Sequence, residues 1–149
     1  RFNWKESARE IFVLFPDFNL PKLDYWAFSY WDQKVYLIQA GNPVQIPNLP
    51  AHGVVLLAIR QVTQRPTYLG SDLHISMGQE VSSWNVEKNQ LTFQLALPRQ
   101  TEGSLFIYFP EKPHAIIANG TSIEWKELPN QVYQIPVAFD QTTSFEVNW

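Results

Sequence analysis

Asp72 and His74 are two residues apart, with Ser71 and Ser76 on either side. On a strand, residues at that spacing share a face, so the carboxylate could orient the imidazole as a base for a hydroxyl nucleophile. No sharp strand-to-helix turn presents either serine, however, and the segment reads instead as a hydrogen-bonded histidine at a bend or interface. The only other histidines are His52 and His114, and none of the three stands one, two or four residues from another. A metal site would need them joined from distant strands by Asp17, Asp32 or Glu80, so no metal and no cofactor is expected. Asp17 and Asp24 sit in one polar loop and read as solvated turn residues rather than as a catalytic pair.

Aromatic residues offer a different chemistry. The chain has 6 Trp, 6 Tyr and 10 Phe. A sugar ring stacks its C–H face on an exposed indole while neighbouring amides and carboxylates bond its hydroxyls. Trp31 with Asp32, Trp84 with Asn85, and Trp125 lie near expected strand ends and are the candidate carbohydrate residues. Packing is the competing role for every one of them. Asn119-Gly120-Thr121 fits a glycosylation acceptor, but a tight turn accounts for the Asn-Gly pair by itself.

These residues must be carried by short strands. Eleven prolines against 6 glycines, no cysteine, and short apolar runs separated by Asn, Gln and Pro give no convincing helix. Residues 54–59 are a continuous apolar run between Pro50-Gly53 and Arg60-Pro66, too short for an ordinary helix, which predicts a strand buried on both faces. Residues 104–109 read the same way. Trp26, Phe28 and Tyr30 alternate with Tyr25, Ala27 and Ser29, turn at Asp32-Gln33 and return over 34–38. Further strands are expected at 44–46, at 67–77 with a bend at Gly70, and at 80–86. The cleanest alternation is Leu91, Phe93, Leu95 and Leu97, after a turn at 87–90. Residues 98–103 read as a polar connection. Strands at 114–118 and 121–125 flank the Asn119-Gly120 turn, and 132–139 and 143–149 close the chain around Asp140-Gln141. At the other end, Phe2-Asn3-Trp4 pairs as a hairpin with 11–15 or leads into one helical turn.

The expected fold is all-β: an antiparallel β-sandwich of roughly a dozen short strands with little or no helix. One domain over 1–149 is favoured, with two small β subdomains, 1–64 and 65–149, as the alternative divided at the polar break 61–66. The formal net charge is -3, with no basic stripe for phosphate, so nucleic acid is not an expected partner. No run approaches the ~20 apolar residues of a membrane helix, and no signal peptide is evident. Arg1 in place of methionine suggests a piece of something longer. A cytoplasmic location is slightly favoured.

Several segments, in order, resemble the C-terminal region of melibiase-type α-galactosidases and related glycoside hydrolases: Phe2-Asn3-Trp4, Tyr30-Trp31-Asp32, Pro50-Ala51-His52-Gly53 before Val54-Val55, and Arg65-Pro66 before Leu69-Gly70-Ser71-Asp72-Leu73-His74-Ile75 and Gly78. The resemblance covers the first two-thirds of the chain. It implies a β-sandwich that follows a catalytic (β/α) barrel. The family's catalytic aspartates lie on barrel strands, so none can be carried onto this chain, and 149 residues leave no room for a barrel of ~200 or more. The expected function is therefore that of a non-catalytic accessory domain packing on and stabilising the barrel of its parent chain. His52, Arg60 and His74 are its candidate interface residues. The alternative is a carbohydrate-binding module that uses exposed Trp.

Overall fold

A computed structural model describes residues 1–13 and 18–149. Among the described residues twelve strands pair only antiparallel, and the helical content is a 3-10 turn over Pro129–Gln131 and a single 3-10 residue at Phe18. The chain divides into two compact units, Arg1–Val62 and Thr63–Trp149, the division falling within the polar 61–66 segment.

The N-terminal unit holds two small sheets. Strand β1 (Arg9–Val13) pairs with β4 (Val44–Leu49), while β2 (Tyr25–Ser29) lies between β3 (Lys34–Ile38) and β5 (Leu57–Gln61). Inward side chains of both sheets make one core: Ile11 and Val13, Tyr25 and Ala27, Ile38, Val44, Ile46, Leu49 and Val55. Phe2-Asn3-Trp4 does not form a hairpin with β1. Phe2 bridges Val54 instead, and the β1 register belongs to β4.

The run 54–59 departs from expectation. Its strand begins only at Leu57 and is the edge of its sheet; Val54 is 45% exposed, and Leu56, Leu57 and Ile59 are partly exposed. An edge strand has a neighbour on one side only, and the preceding turn carries Val54 outward, so continuous apolarity here marks an open surface rather than a covered one. The strand buried at every position is β2.

The C-terminal unit is a single sheet folded on itself. Strand β8 (Gln90–Tyr108) and β12 (Val132–Asn148) pair along almost their whole lengths. One half of this pair is flanked by β7 (Val81–Glu87), β9 (Ala115–Ala118) and β10 (Thr121–Ser122). The other half is flanked by β6 (Thr67–Ser71) and β11 (Lys126–Leu128). Phe109 and Trp149 extend from opposite ends of the pair, roughly 60 Å apart in a flat sheet of this length. Their ring centroids are 5.7 Å apart. Away from the polar stretches 98–103 and 140–142, the odd-numbered side chains of both strands, from Leu91 to Leu97, Leu105 to Phe109, Tyr133 to Phe139 and Phe145 to Trp149, therefore face one shared core.

The polar stretches 98–103 and 140–142 are thus not connections between strands. They are where the pair bends. Between the pairs Ala96–Thr142 and Gln100–Asp140, three residues of β8 oppose one of β12, and that one, Gln141, has φ 64°. Pro98, which lacks an N–H, sits in this bulge, where no ladder bond is required of it. An excess of two residues leaves the inward parity unchanged, so both halves keep their odd residues inside.

Other expectations shift locally. The 67–77 strand stops at Ser71, with its register slip between Tyr68 and Gly70 so that Leu69 rather than Gly70 is the unpaired residue, and the 121–125 strand is only Thr121–Ser122. The Asn119-Gly120 turn has φ 46° and 80°, the doubly positive geometry that Asn-Gly suits.

Candidate functional site

Three constructions carry polar or apolar groups that could act. The first begins at Asn3, fully buried, whose Nδ2 donates to the carbonyls of Leu49 (3.0 Å), Pro50 (2.8 Å) and Ser7 (3.0 Å). Its Oδ1 accepts from the Lys5 amide at 3.1 Å, and its own amide donates to the Gly53 carbonyl at 2.8 Å. Two segments some fifty residues apart are thereby tied together, and the turn Pro50-Ala51-His52-Gly53 closes with the Gly53 amide on the Pro50 carbonyl at 2.9 Å. His52 sits in that turn at φ 56°, which costs a non-glycine residue about 1–2 kcal/mol. Gly53 lies so close to Pro50 that a Cβ would stand 2.9 Å from its carbonyl oxygen.

This knot flanks an apolar groove of about 310 Å³, lined by Val13, Leu20, Val55, Leu56, Leu57 and Ile59, with Arg1 and Phe18 at its rim. The Arg1 guanidinium lies 5.5 Å from the Phe18 ring centroid, and Phe18 is 53% exposed. Trp4, beside Asn3, is 77% exposed with its ring centroid 4.2 Å from that of Phe2.

The second construction is a carboxylate with no solvent exposure. Glu80 accepts from the Tyr68 and Ser71 hydroxyls through Oε1 and from the Gly78 amide, at 2.8 Å, through Oε2. Ser71 Oγ also accepts from the Leu73 amide at 3.3 Å, and Arg99 donates to the Leu73 carbonyl at 2.8 Å. Asp72 accepts from the Ser104 amide at 2.7 Å, against Gly103, where a Cβ would stand 2.2 Å from the carboxylate. Asp72 and His74 therefore do not share a strand face, because β6 has ended one residue earlier. His74 turns its Nδ1 to Ser76 Oγ, 2.8 Å away, and caps the bend. The Tyr68 and Ser71 hydroxyls and the Gly78 amide converge on Glu80, which makes this a structural pin for the 68–80 segment.

The third is a shallow polar groove of about 460 Å³ across β7, β8, β12 and β9, bordered by the Asn119-Gly120 turn.

The expected carbohydrate residues are divided between the two units. Trp31 is 57% exposed, edge-on to Tyr30 with centroids 4.8 Å apart, and Asp32 accepts from Ser29 at 3.2 Å. Both belong to the N-terminal unit. Trp84 points the other way from a solvent platform: it packs on the core, 5.2 Å from Phe93 and 6.2 Å from Tyr68, ring to ring. Strand alternation then puts Asn85 on the outer face, where its amide donates to Glu87 at 3.1 Å. Trp125 also packs against the core. Of the expected interface residues, His52 is exposed and 3.2 Å from Glu6, while Arg60 donates to the Ile59 carbonyl on the edge strand at 3.0 Å. His74 is at the bend just described.

Among the described residues no three or more His, Asp or Glu stand together as a metal would require. Asp17 lies outside the described residues. Asn3 and the exposed Phe18 and Trp4 escaped sequence reasoning as functional positions, and Glu80 was weighed there only as a metal ligand, not as a buried acceptor. Asn3 lay in a quoted motif but its partners are distant in sequence, and Glu80 looks like any turn carboxylate until Tyr68 and Ser71 close on it. No protein-family model matches the chain, and no curated protein matches it.

Proposed function

We propose that the chain is a non-catalytic accessory domain of an α-galactosidase-like glycoside hydrolase, which packs on the catalytic (β/α) barrel and stabilises it. The observation that carries this reading is the open apolar groove on the 54–59 run, rimmed by Arg1 and Phe18. Apolar surface left open on a rigid turn-and-edge platform is what a permanent partner surface covers. Two of the segments that carry the resemblance, Phe2-Asn3-Trp4 and Pro50-Ala51-His52-Gly53, are joined by Asn3 directly beside that groove. A barrel preceding Arg1 would enter at the groove rim, which Arg1 lines. Covering a groove of this kind stabilises by about 25 cal/mol per Å² of apolar surface removed from water.

The test uses the proposed barrel, produced without this domain, and the present chain added in trans. The barrel should gain thermal stability on addition, and Leu56→Asp should remove the gain while the variant stays folded. A gene product with no barrel upstream, or a barrel whose melting is indifferent to the added chain, contradicts the reading.

A further inference from the structure

The polar groove of the C-terminal unit has a chemistry of its own, independent of the apolar groove. Its floor is two cross-strand rows, Asn85–Thr92–Glu146–Ile117 and Ser83–Gln94–Ser144, the second closed by Asn119 through the Asn119 amide on the Ser144 carbonyl at 2.9 Å. Serines on both sides of Gln94 leave the concavity. The chain carries 11 Lys and Arg and 14 Asp and Glu, yet among the described residues Glu146 is the only charged one lining it. Lacking any cation, the face has nothing with which to hold phosphate, sulfate or carboxylate, and Ile117 is its only aliphatic side chain.

The polar groups are each held at one end by a neighbour. Ser82 Oγ lies 3.2 Å from both the Gln94 backbone carbonyl and Gln94 Oε1, to which its one hydrogen donates, and Gln94 Nε2 is left to donate. Asn119 Oδ1 accepts from the Ser144 amide at 2.9 Å, leaving its Nδ2 to donate. Glu146 Oε1 accepts from Gln90 and Asn148, at 2.9 and 3.1 Å, leaving Oε2 to accept. Donors and acceptors thus alternate on rigid strands, each with one end committed and the other open, the arrangement that recognises a ligand rich in hydroxyls. We propose that this face binds a neutral oligosaccharide laid across β7, β8, β12 and β9, its hydroxyls donating to Glu146 and Asn85 and accepting from Gln94 and Asn119. The volume matches the lower range of small-molecule sites, and with no indole in the groove the affinity is millimolar.

The experiment is an amide-resolved NMR titration of the full 149-residue chain with neutral di- to tetrasaccharides of galacto-, manno-, gluco- and xylo-configuration. At least one series should give saturable shifts at residues 83–85, 92–94 and 144–146. Gln94→Ala should weaken it about fivefold or more, the loss of one hydrogen-bonded contact. Ser144→Gln, which fills the groove, should abolish it with the remaining spectrum intact. Trp31→Ala should leave it unchanged. No saturable shift up to about 50 mM, well past millimolar affinity, overturns the proposal. Shifts centred on Trp31 that survive Gln94→Ala and Ser144→Gln also overturn it.

Discussion

Nine large apolar side chains are exposed among the described residues, and seven of them, Trp4, Phe12, Phe18, Leu23, Trp31, Leu37 and Val54, belong to the N-terminal unit. The C-terminal unit, although longer, exposes only Ile75 and Val86. The cause lies in how each sheet ends. In the C-terminal unit a long strand pair folds over, so one sheet supplies both layers of its own core. In the N-terminal unit five short strands form two separate sheets whose edges, β5 among them, remain open. A sheet that closes on itself needs no partner, whereas short sheets with apolar edges leave surface for one.

The two units are held by different devices, and removing each sharpens the contrast. Glu80→Ala leaves two buried hydroxyls and an amide without their acceptor, and should cost about 3–5 kcal/mol in urea-monitored unfolding. Asn3→Ala removes the one donor group shared by three carbonyls and should cost less, about 2–3 kcal/mol. It should also loosen Trp4, read as increased fluorescence depolarisation. An Asn3→Ala loss equal to that of Glu80→Ala would erase the distinction between a sealed core and a tied surface loop.

Alkaline pH probes the tyrosines. Burial raises the Tyr108 and Tyr133 hydroxyls above the ordinary 10.0, and Tyr36 is raised by burial and then by nearby Asp32. Lys112 is raised by its hydrogen bond to Glu127. With folded values above unfolded ones, the folded chain holds more protons near pH 10, so stability is complete below that pH and falls as pH rises through the shifted values. Stability measured from pH 8 to 11 should decline, and Tyr133→Phe should flatten the decline. The smallest effect belongs to His52→Gly, which relieves the left-handed backbone and should gain about 1 kcal/mol.

Much of the fold was legible in side-chain alternation. Leu91, Phe93, Leu95 and Leu97 announce their strand, and Asn119-Gly120 announces its turn, because both signals are local. The bends were not legible, since Pro98-Arg99-Gln100 has the composition of a loop and only pairing with 140–142 keeps it in the sheet. The 54–59 run misled for a related reason: apolarity on both faces is the same string of letters whether a second layer covers it or leaves it open. Trp84 and Asn85 show the limit for sites, since adjacent strand residues face opposite ways and local sequence does not say which face is wet.

The central claim is that the surface around Leu56, Ile59 and Phe18 is a partner face. Hydroxyl-radical footprinting of these three side chains, in the isolated chain and in the same chain joined to the proposed catalytic barrel, tests it directly. They should be strongly modified in the isolated chain and protected when the barrel is attached, while Ile75 and Val86 react equally in both. Equal modification of all five in the two proteins would contradict the account.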